Sequence, residues 1–388
     1  MERGTTVGDT LERKPYESIE QGEGTQKKSV LIVRLGAFGD MIQTSCVFPY
    51  WHALGYEITL NCGQRAYEVV KHNPYVKYII PHVRDSVPLN ELMGHWQQLG
   101  ANYDELCVLT GNVVEGQLLF PSNSYMWFAG DRLRRKVASK YNYYERMLEV
   151  AGFKPIPPIK GEMYFSKFER EWAKRLIKRE LRDKYVMLWA HSGSSIHKSY
   201  AWYWHVIMPL LEQWPDLFVI TAGDNFCIEL DMALEHPRIL TTSGIWSIRQ
   251  AMAVVPYVDI VVGPETGLLN AAGCYKTPKV CLLSHSSKAN LTKYWENDYS
   301  IQAPCECSPC HRLFKYKDDP EICPKGELGH QICMEILPPE VLINQIRKVR
   351  KIHGTEKRTR KAKKRARVQS RSTVGLRPYG QDTVYQSG

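Results

Sequence analysis

Short runs of consecutive apolar residues alternate with stretches in which apolar positions recur every three or four residues. Val30-Leu31-Ile32-Val33 reads as a strand buried on both faces, and "GDMIQTSCVFPYWHALG" after it as one helix. "YEITLNCG" predicts a second strand, "QRAYEVVKHN" a helix ended by Pro74, "VKYIIPH" a third strand and "NYDELCVLTG" a later one. "YNYYERMLEVAGF" predicts a helix, and the prolines from Pro155 to Pro158 a linker. The pattern then restarts: "YVMLWAHSG", "LFVITAG", "VDIVVG" and "PKVCLLS" read as strands, separated by the helical "WYWHVIMPLLEQW", "IRQAMAVVPY" and "TGLLNAAGCY". The predicted class is α/β, with two doubly wound Rossmann-like lobes facing a central cleft and ligands at the carboxyl ends of the strands. The expected divisions are a disordered leader at residues 1–28, a first lobe at 29–157, a second at 158–346 with a Cys-rich segment at 305–333, and a basic disordered tail at 347–388. No fixed-period repeat is present beyond this echo of the halves.

Composition refines this picture. The 388 residues suffice for two domains of ordinary size, and 44% hydrophobic residues with 10 Trp and 22 Tyr indicate packed cores. The net charge of +10 is not spread evenly: thirteen Lys/Arg and one Glu fall between Arg347 and Arg371, so that block carries about +12 and residues 1–346 about −2. Such a block is either a plain solvated tail or an electrostatic arm for an anionic membrane surface or for nucleic acid. No run of eighteen apolar residues occurs, and Met1 to Lys28 is polar without a hydrophobic signal core. A cytoplasmic protein is expected, peripheral at the inner face of the membrane if the tail binds lipid. Cys46, Cys62, Cys107, Cys227, Cys274 and Cys281 lie in apolar segments and read as buried thiols.

The chemistry gathers at strand ends. In "RLGAFGDMIQTS", Gly36 and Gly39 allow a sharp strand-to-helix turn, and Asp40 falls at or near the N-cap. It either caps the helix or projects into the cleft as a base. A dinucleotide site, with Glu57 on the ribose, is disfavoured: the spacing is G-x-x-G-D rather than G-x-G-x-x-G, and an acid would face the pyrophosphate. Thr266 and Gly267 open a helix whose free N–H groups suit a diphosphate. Cys307, Cys310, Cys323 and Cys333 have the number and spacing of a structural zinc site, with Cys305, His311 and His330 as spare ligands; reduced thiols and disulfides are the other readings.

"VLIVRLGAFGDMIQTSCVFPYW", "VDIVVGPETGLLNAAGCYKTPKVCLL" and "CSPC", in that order along about residues 29–347, resemble glycosyltransferase family 9, the ADP-heptose:lipopolysaccharide heptosyltransferases of GT-B fold. Arg34, Gly36, Gly39, Asp40 and Thr44 match the family's R-x-G-x-x-G-D-x-x-x-T pattern. The resemblance implies an inverting, metal-independent transfer of heptose or a related sugar from a nucleotide sugar to a hydroxyl acceptor of a glycolipid or other glycan. Asp40 would be the general base, Lys198, Glu265, Thr266 and Gly267 would hold donor phosphate, and Asp224 or Glu229 the donor ribose. Gly39, Thr44, Gln64 and Arg65 would lie on the acceptor side. The family's Asp and His around the second glycine are here Glu265 and Asn270, which bears on the identity of the donor, ADP-heptose or a related nucleotide sugar. Asp40 and the helix start at Thr266 are expected to face each other across a gap sized for a sugar. The alternatives are a glycosyltransferase acting on nucleic acid and a GT-B binding module without turnover.

Overall fold

The computed structural model describes residues 27–83, 86–88, 90–110, 139–192, 198–311, 323, 325–327 and 330–354. The leader to residue 26, the tail from 355 and most of the "HSGSSIHK" loop lie outside them. In the first lobe, β1 (Ser29–Arg34) is flanked by β2 (Glu57–Cys62) and β4 (Glu105–Val108), with β3 (Val76–Pro81) outside β2. All pairs are parallel. Alternation along β1 sends Val30 and Ile32 into the main core and Leu31 and Val33 onto Leu92 and Trp96 of a helix, α4 (Leu92–Gly100). The apolar run is thus the mark of a strand covered on both faces.

The single helix expected after β1 is broken. It comprises α1 (Phe38–Thr44), a 3₁₀ turn at Ser45–Val47 and α2 (Phe48–Ala53), whose first turn contains Pro49. Proline lacks the N–H to continue α1 but is accommodated in the first turn of a new helix. The Ser45 hydroxyl donates to Ile42 O and accepts from Glu162 N, fixing the break. Helix α3 (Gln64–Val70) follows β2.

Beyond the first sheet, α5 (Tyr143–Val150) and α6 (Lys167–Arg175) bracket the proline segment. The second sheet has the order β10-β9-β8-β5-β6-β7, with all neighbours parallel. Its strands are β5 (Tyr185–Ala190), β6 (Leu217–Ala222), β7 (Ile239–Thr241), β8 (Ile260–Pro264), β9 (Lys279–Leu283) and β10 (Ile301–Gln302). The helices between them are α7 (Tyr203–Gln213), α8 (Ile228–Met232), α9 (Ile248–Val254) and α10 (Gly267–Gly273). α11 (Ile332–Glu335) and α12 (339–354) close the described chain. On β5, Tyr185, Met187 and Trp189 pack in one core, Val186, Leu188 and Ala190 in the other. The chain order reverses at β1 in one sheet and β5 in the other, which opens a crevice at the carboxyl end of each.

The basic segment, expected to be disordered or weakly helical, is helical over 347–354. Arg350 makes a bidentate ion pair with Asp216 (2.7 and 2.9 Å), and its guanidinium lies 4.7 and 4.3 Å from the ring centres of Tyr185 and Trp214. Ile346 and Val349 are buried on the same helix. Cation–π contacts and an apolar stripe anchor a stretch that looks merely charged in sequence.

Candidate active site between the lobes

The Arg34–Ser45 segment turns at Gly36, whose φ of +128° only glycine adopts without strain. Arg34, the last residue of β1, is buried; its Nη1 donates to Leu109 O (2.9 Å) and its Nη2 lies 3.3 Å from Asp40 Oδ1. Asp40 is the third residue of α1, not its N-cap, which is Ala37. Asp40 Oδ2 reaches back to accept from Ala37 N at 2.8 Å. The carboxylate therefore both completes the helix start and is clamped by a buried cation, with a quarter of its side chain still exposed (25%). Thr44 is fully buried, its hydroxyl donating to Asp40 O and standing 3.6 Å from Met147 Sδ. It supports the turn and does not reach the cleft.

Second-lobe strand ends form the opposite wall. Thr266 caps α10, its hydroxyl accepting from Leu269 N (3.4 Å). A Cβ built on Gly267 would stand 2.6 Å from Phe38 Cβ, and one on Gly39 would stand 2.9 Å from Asn270 Nδ2. Asn270 Oδ1 in turn accepts from Gln43 Nε2 (3.0 Å), and its Nδ2 donates to Thr266 O (2.9 Å). The starts of α1 and α10 are thus in contact, where a sugar-sized gap was expected. The open space lies beside this contact.

That space is a cavity of about 470 Å³. Ala37, Phe38, Gly39 and Arg65 line it from the first lobe. His191, Ser192 and Lys198 after β5, Gly223 and Asp224 after β6, and Glu265 to Leu268 after β8 line it from the second, with Thr242 and Trp246. Of the residues the sequence singles out, the cavity gathers Gly39, Arg65, Lys198, Asp224, Glu265, Thr266 and Gly267. Asp40 adjoins the wall through Gly39 without lining the cavity. Gln64 and Glu229 are exposed outside it.

Glu265 lines the cavity, and its carboxylate is engaged with the 284–286 loop. Its side chain is buried, accepting from the backbone N–H groups of Ser284 (2.9 Å), His285 (3.0 Å) and Ser286 (3.2 Å) and from the hydroxyls of Ser284 (2.7 Å) and Ser286. His285 Nδ1 stands 2.7 Å away. Burial by itself would push the Glu265 pKa up; the imidazole and the serine donors outweigh it and hold the carboxyl well below its usual range. An acid so engaged ties the end of β8 to the 284–286 loop.

The lobes are also pinned by Arg249 of α9. Its guanidinium donates to Glu68 O of α3 (2.5 Å), to Tyr164 O (3.0 Å) and to the Glu169 carboxylate of α6 (Nη2 to Oε2, 2.7 Å). The sequence signal was a lone charged residue in a largely apolar helix. His191 was missed because it directly follows the apolar run of β5.

In the cysteine segment the hub is Cys305, expected only as a spare. Cys307 Sγ donates to Cys305 Sγ (3.8 Å), and Cys333 Sγ donates to Gln331 Oε1 (3.6 Å). The thiols of Cys333 and Cys307 hold the Cys305 pKa down to about 6 against partial burial. His330 Nδ1 is engaged with Ser199 O (2.9 Å) and His311 Nε2 with Ser139 Oγ (3.2 Å). Among the described residues no group of three or more His, Cys, Asp or Glu side chains is arranged to hold a metal ion. Cys305, expected only as a spare ligand, is in contact with Cys307 of the regularly spaced set.

No protein-family model and no curated protein sequence matches the chain. Solved structures do. The chain is similar to the ADP-heptose lipopolysaccharide heptosyltransferase II of E. coli, at 15% identity and a TM-score of 0.57 over 83% of this chain and 98% of that one. It is similar to the family 9 glycosyl transferase of Veillonella parvula, at 13% identity and a TM-score of 0.60 over 85% and 99%. It also resembles the iron-containing dodecameric glycosyltransferase TibC of enterotoxigenic E. coli, at 11% and 0.54 over 84% and 76%. TibC, there described as a heptosyltransferase, is also known in complex with ADP-D-β-D-heptose, with a TM-score of 0.50. The chain therefore has the GT-B fold of the family 9 heptosyltransferases. Among the described residues no helix is long and apolar enough to cross a membrane.

Proposed function

We propose that the protein is an inverting glycosyltransferase that moves heptose or a related sugar from a nucleoside-diphosphate sugar to a hydroxyl of a glycolipid or other glycan. The observation that carries this reading is the cavity itself. It lies at the carboxyl ends of the second-lobe strands, is closed by the Ala37–Gly39 turn beside Asp40, and has Lys198 and Arg65 in its walls.

The acceptor hydroxyl gives its proton to Asp40 while its oxygen attacks the anomeric carbon from the face opposite the phosphate. A carbon–oxygen bond forms there. The bond from the anomeric carbon to the diphosphate oxygen breaks, and its electron pair leaves with the diphosphate. Lys198 and Arg65 neutralise that charge, so the chemistry needs no catalytic metal. Arg34 and Ala37 N–H fix the carboxylate in one orientation, which reduces the reorganisation needed when the proton moves. Asp224, whose Oδ1 accepts from Phe226 N (3.0 Å), sits at the cavity rim where a ribose hydroxyl would be met. The +12 block supports work at the anionic inner face of a cytoplasmic membrane.

The test is a panel of nucleotide sugars, ADP-heptose and UDP-hexoses included, scored by thermal shift and then by release of the nucleoside diphosphate. A donor that stabilises the protein and is turned over supports the proposal. Indifference to every nucleotide and nucleotide sugar overturns it.

A further inference from the structure

The cysteine segment has no part in the transfer chemistry, yet it is laced to a wall of the cavity. Cys305 and Cys307 are half-buried in the turn that follows β10, where Ser308 N donates to Cys305 O (3.0 Å). The Ser308 hydroxyl donates to Ser284 O (2.7 Å) and accepts from Gln302 Nε2 (2.6 Å), which also reaches Ser286 O (3.1 Å). His311 N donates to His285 O (2.8 Å). The turn therefore holds the 284–286 loop from behind, and the N–H groups of that loop hold the Glu265 carboxylate at the cavity.

Two sulfur atoms of the turn are already in contact. Cys307 Sγ lies 3.8 Å from Cys305 Sγ and donates its hydrogen to it. A sulfur that accepts is favoured as thiolate, and the thiolate is the nucleophilic form. The acidities run the same way: the Cys333 and Cys307 thiols bring Cys305 down to about 6, whereas burial and the Cys305 charge push Cys307 up. One sulfur is thus ready to attack, and its neighbour keeps a proton to give away. A disulfide sets its sulfurs about 2 Å apart. Closing the present 3.8 Å must pull on Ser308, which lies next to Cys307 and bonds to both Cys305 and Ser284.

We propose that Cys305 and Cys307 are a redox pair that a hydroperoxide closes into a disulfide, and that closure loosens the 284–286 loop behind the cavity wall. The Cys305 thiolate attacks the outer peroxide oxygen; an S–O bond forms, the O–O bond breaks, and the departing oxygen takes a proton from solvent and leaves as alcohol or water. Cys305 is oxidised by two electrons to the sulfenic acid, and the peroxide is reduced. Cys307 sulfur then attacks Cys305 sulfur. The S–S bond forms, the S–O bond breaks, and the Cys307 proton leaves with the oxygen as water. A dithiol reductant returns the pair to thiols by exchange.

The experiment treats the reduced, full chain with hydrogen peroxide near pH 7 and maps its peptides. The expected product is a peptide holding both Cys305 and Cys307 that is lighter by a pair of hydrogens and is restored by dithiothreitol. In Cys307→Ser the reaction should stop at a Cys305 sulfenic acid that dimedone traps; in Cys305→Ser neither product should form. Hydrogen exchange of the oxidised wild type should show the Ser284, His285 and Ser286 amides exchanging about tenfold faster than in the reduced protein. A bridge from Cys305 to Cys310, Cys323 or Cys333 overturns the assignment of the pair. So does a protein whose thiols resist peroxide because they hold a metal ion. Exchange at 284–286 that is the same in both forms overturns the coupling to the cavity wall. If the variants do not fold, the wild-type peptide map and its exchange rates decide. Neither readout depends on a nucleotide, so failure of the transferase reading leaves this test intact.

Discussion

Arg249 and Glu169 meet along two parallel contacts, Nε to Oε1 and Nη2 to Oε2, where α9, α6 and the end of α3 converge. Burial raises the Glu169 pKa on its own, but the Arg249 guanidinium and the cap contacts with Ser166 bring it down to about 2 from an ordinary 4.5. A depressed folded-state pKa means stability that is complete above about pH 4.5 and is lost as pH falls toward 2. After allowance for partial exposure the wild type should lose about 2 kcal/mol from this pair across that window. Urea unfolding at several pH values checks it, and Glu169→Gln should flatten the acid limb. At neutral pH the same variant should be destabilised by about 3 kcal/mol, because it leaves Arg249 buried without its counter-charge.

Gly267→Ala should force α1 and α10 apart, since the added methyl would enter the space of Phe38 Cβ. A loss of about 1–3 kcal/mol is expected, together with weaker binding of ADP. Gly94→Ala is the control: it lies in α4 with nothing within 4 Å of a built Cβ, and should stabilise by roughly 0.5–1 kcal/mol. Thermal unfolding of both variants compares them directly. Equal melting temperatures would count against lobe contact through these glycines.

Asp40→Asn keeps an oxygen for Ala37 N–H but cannot take a proton. Turnover should fall by about 10² to 10⁴, with nucleotide binding nearly unchanged. Initial rates and ADP titration on the same sample separate the two. A variant that retains full turnover would exclude Asp40 as the base.

Cys305 should be the fastest of the described cysteines to react with iodoacetamide near pH 7, with a rate midpoint near pH 6, where its thiolate forms. Cys46, Cys62 and Cys107, whose pKa values burial pushes up, should stay inert in the folded chain. Peptide mapping after timed alkylation at several pH values measures this. In Cys333→Ser the midpoint should change, because the donor that contributes most to the lowered pKa is replaced.

The buried strands were legible because a parallel sheet covered on both faces demands unbroken apolar runs, as in Val30–Val33 and Val186–Ala190. The edge strands β7 and β10, three and two residues long, left no such run. α4 was missed although Leu92, Met93, Trp96 and Leu99 fall at helical spacing, and the 3₁₀ break at Ser45 depends on a hydroxyl that serves Glu162, far along the chain. The neighbourhood of Asp40 could be read from a local turn signature. The tasks of Glu265, Gly267 and Asn270 could not, because each is set by a partner from a separate stretch: the 284–286 loop, Phe38 and Gln43. Cys305 was undervalued for a similar reason, since spacing ranks ligands by regularity and the fold ranks them by which sulfur the others can reach.

Gly39 and Asn270 lean on each other across the lobes, and that closeness links two motifs more than two hundred positions apart. Any side chain at 39 needs something slimmer at 270, and any bulkier amide or ring at 270 needs the bare backbone at 39. Homologues that drift at either position should therefore drift at both, so a paired substitution record would read out the lobe contact without a single coordinate.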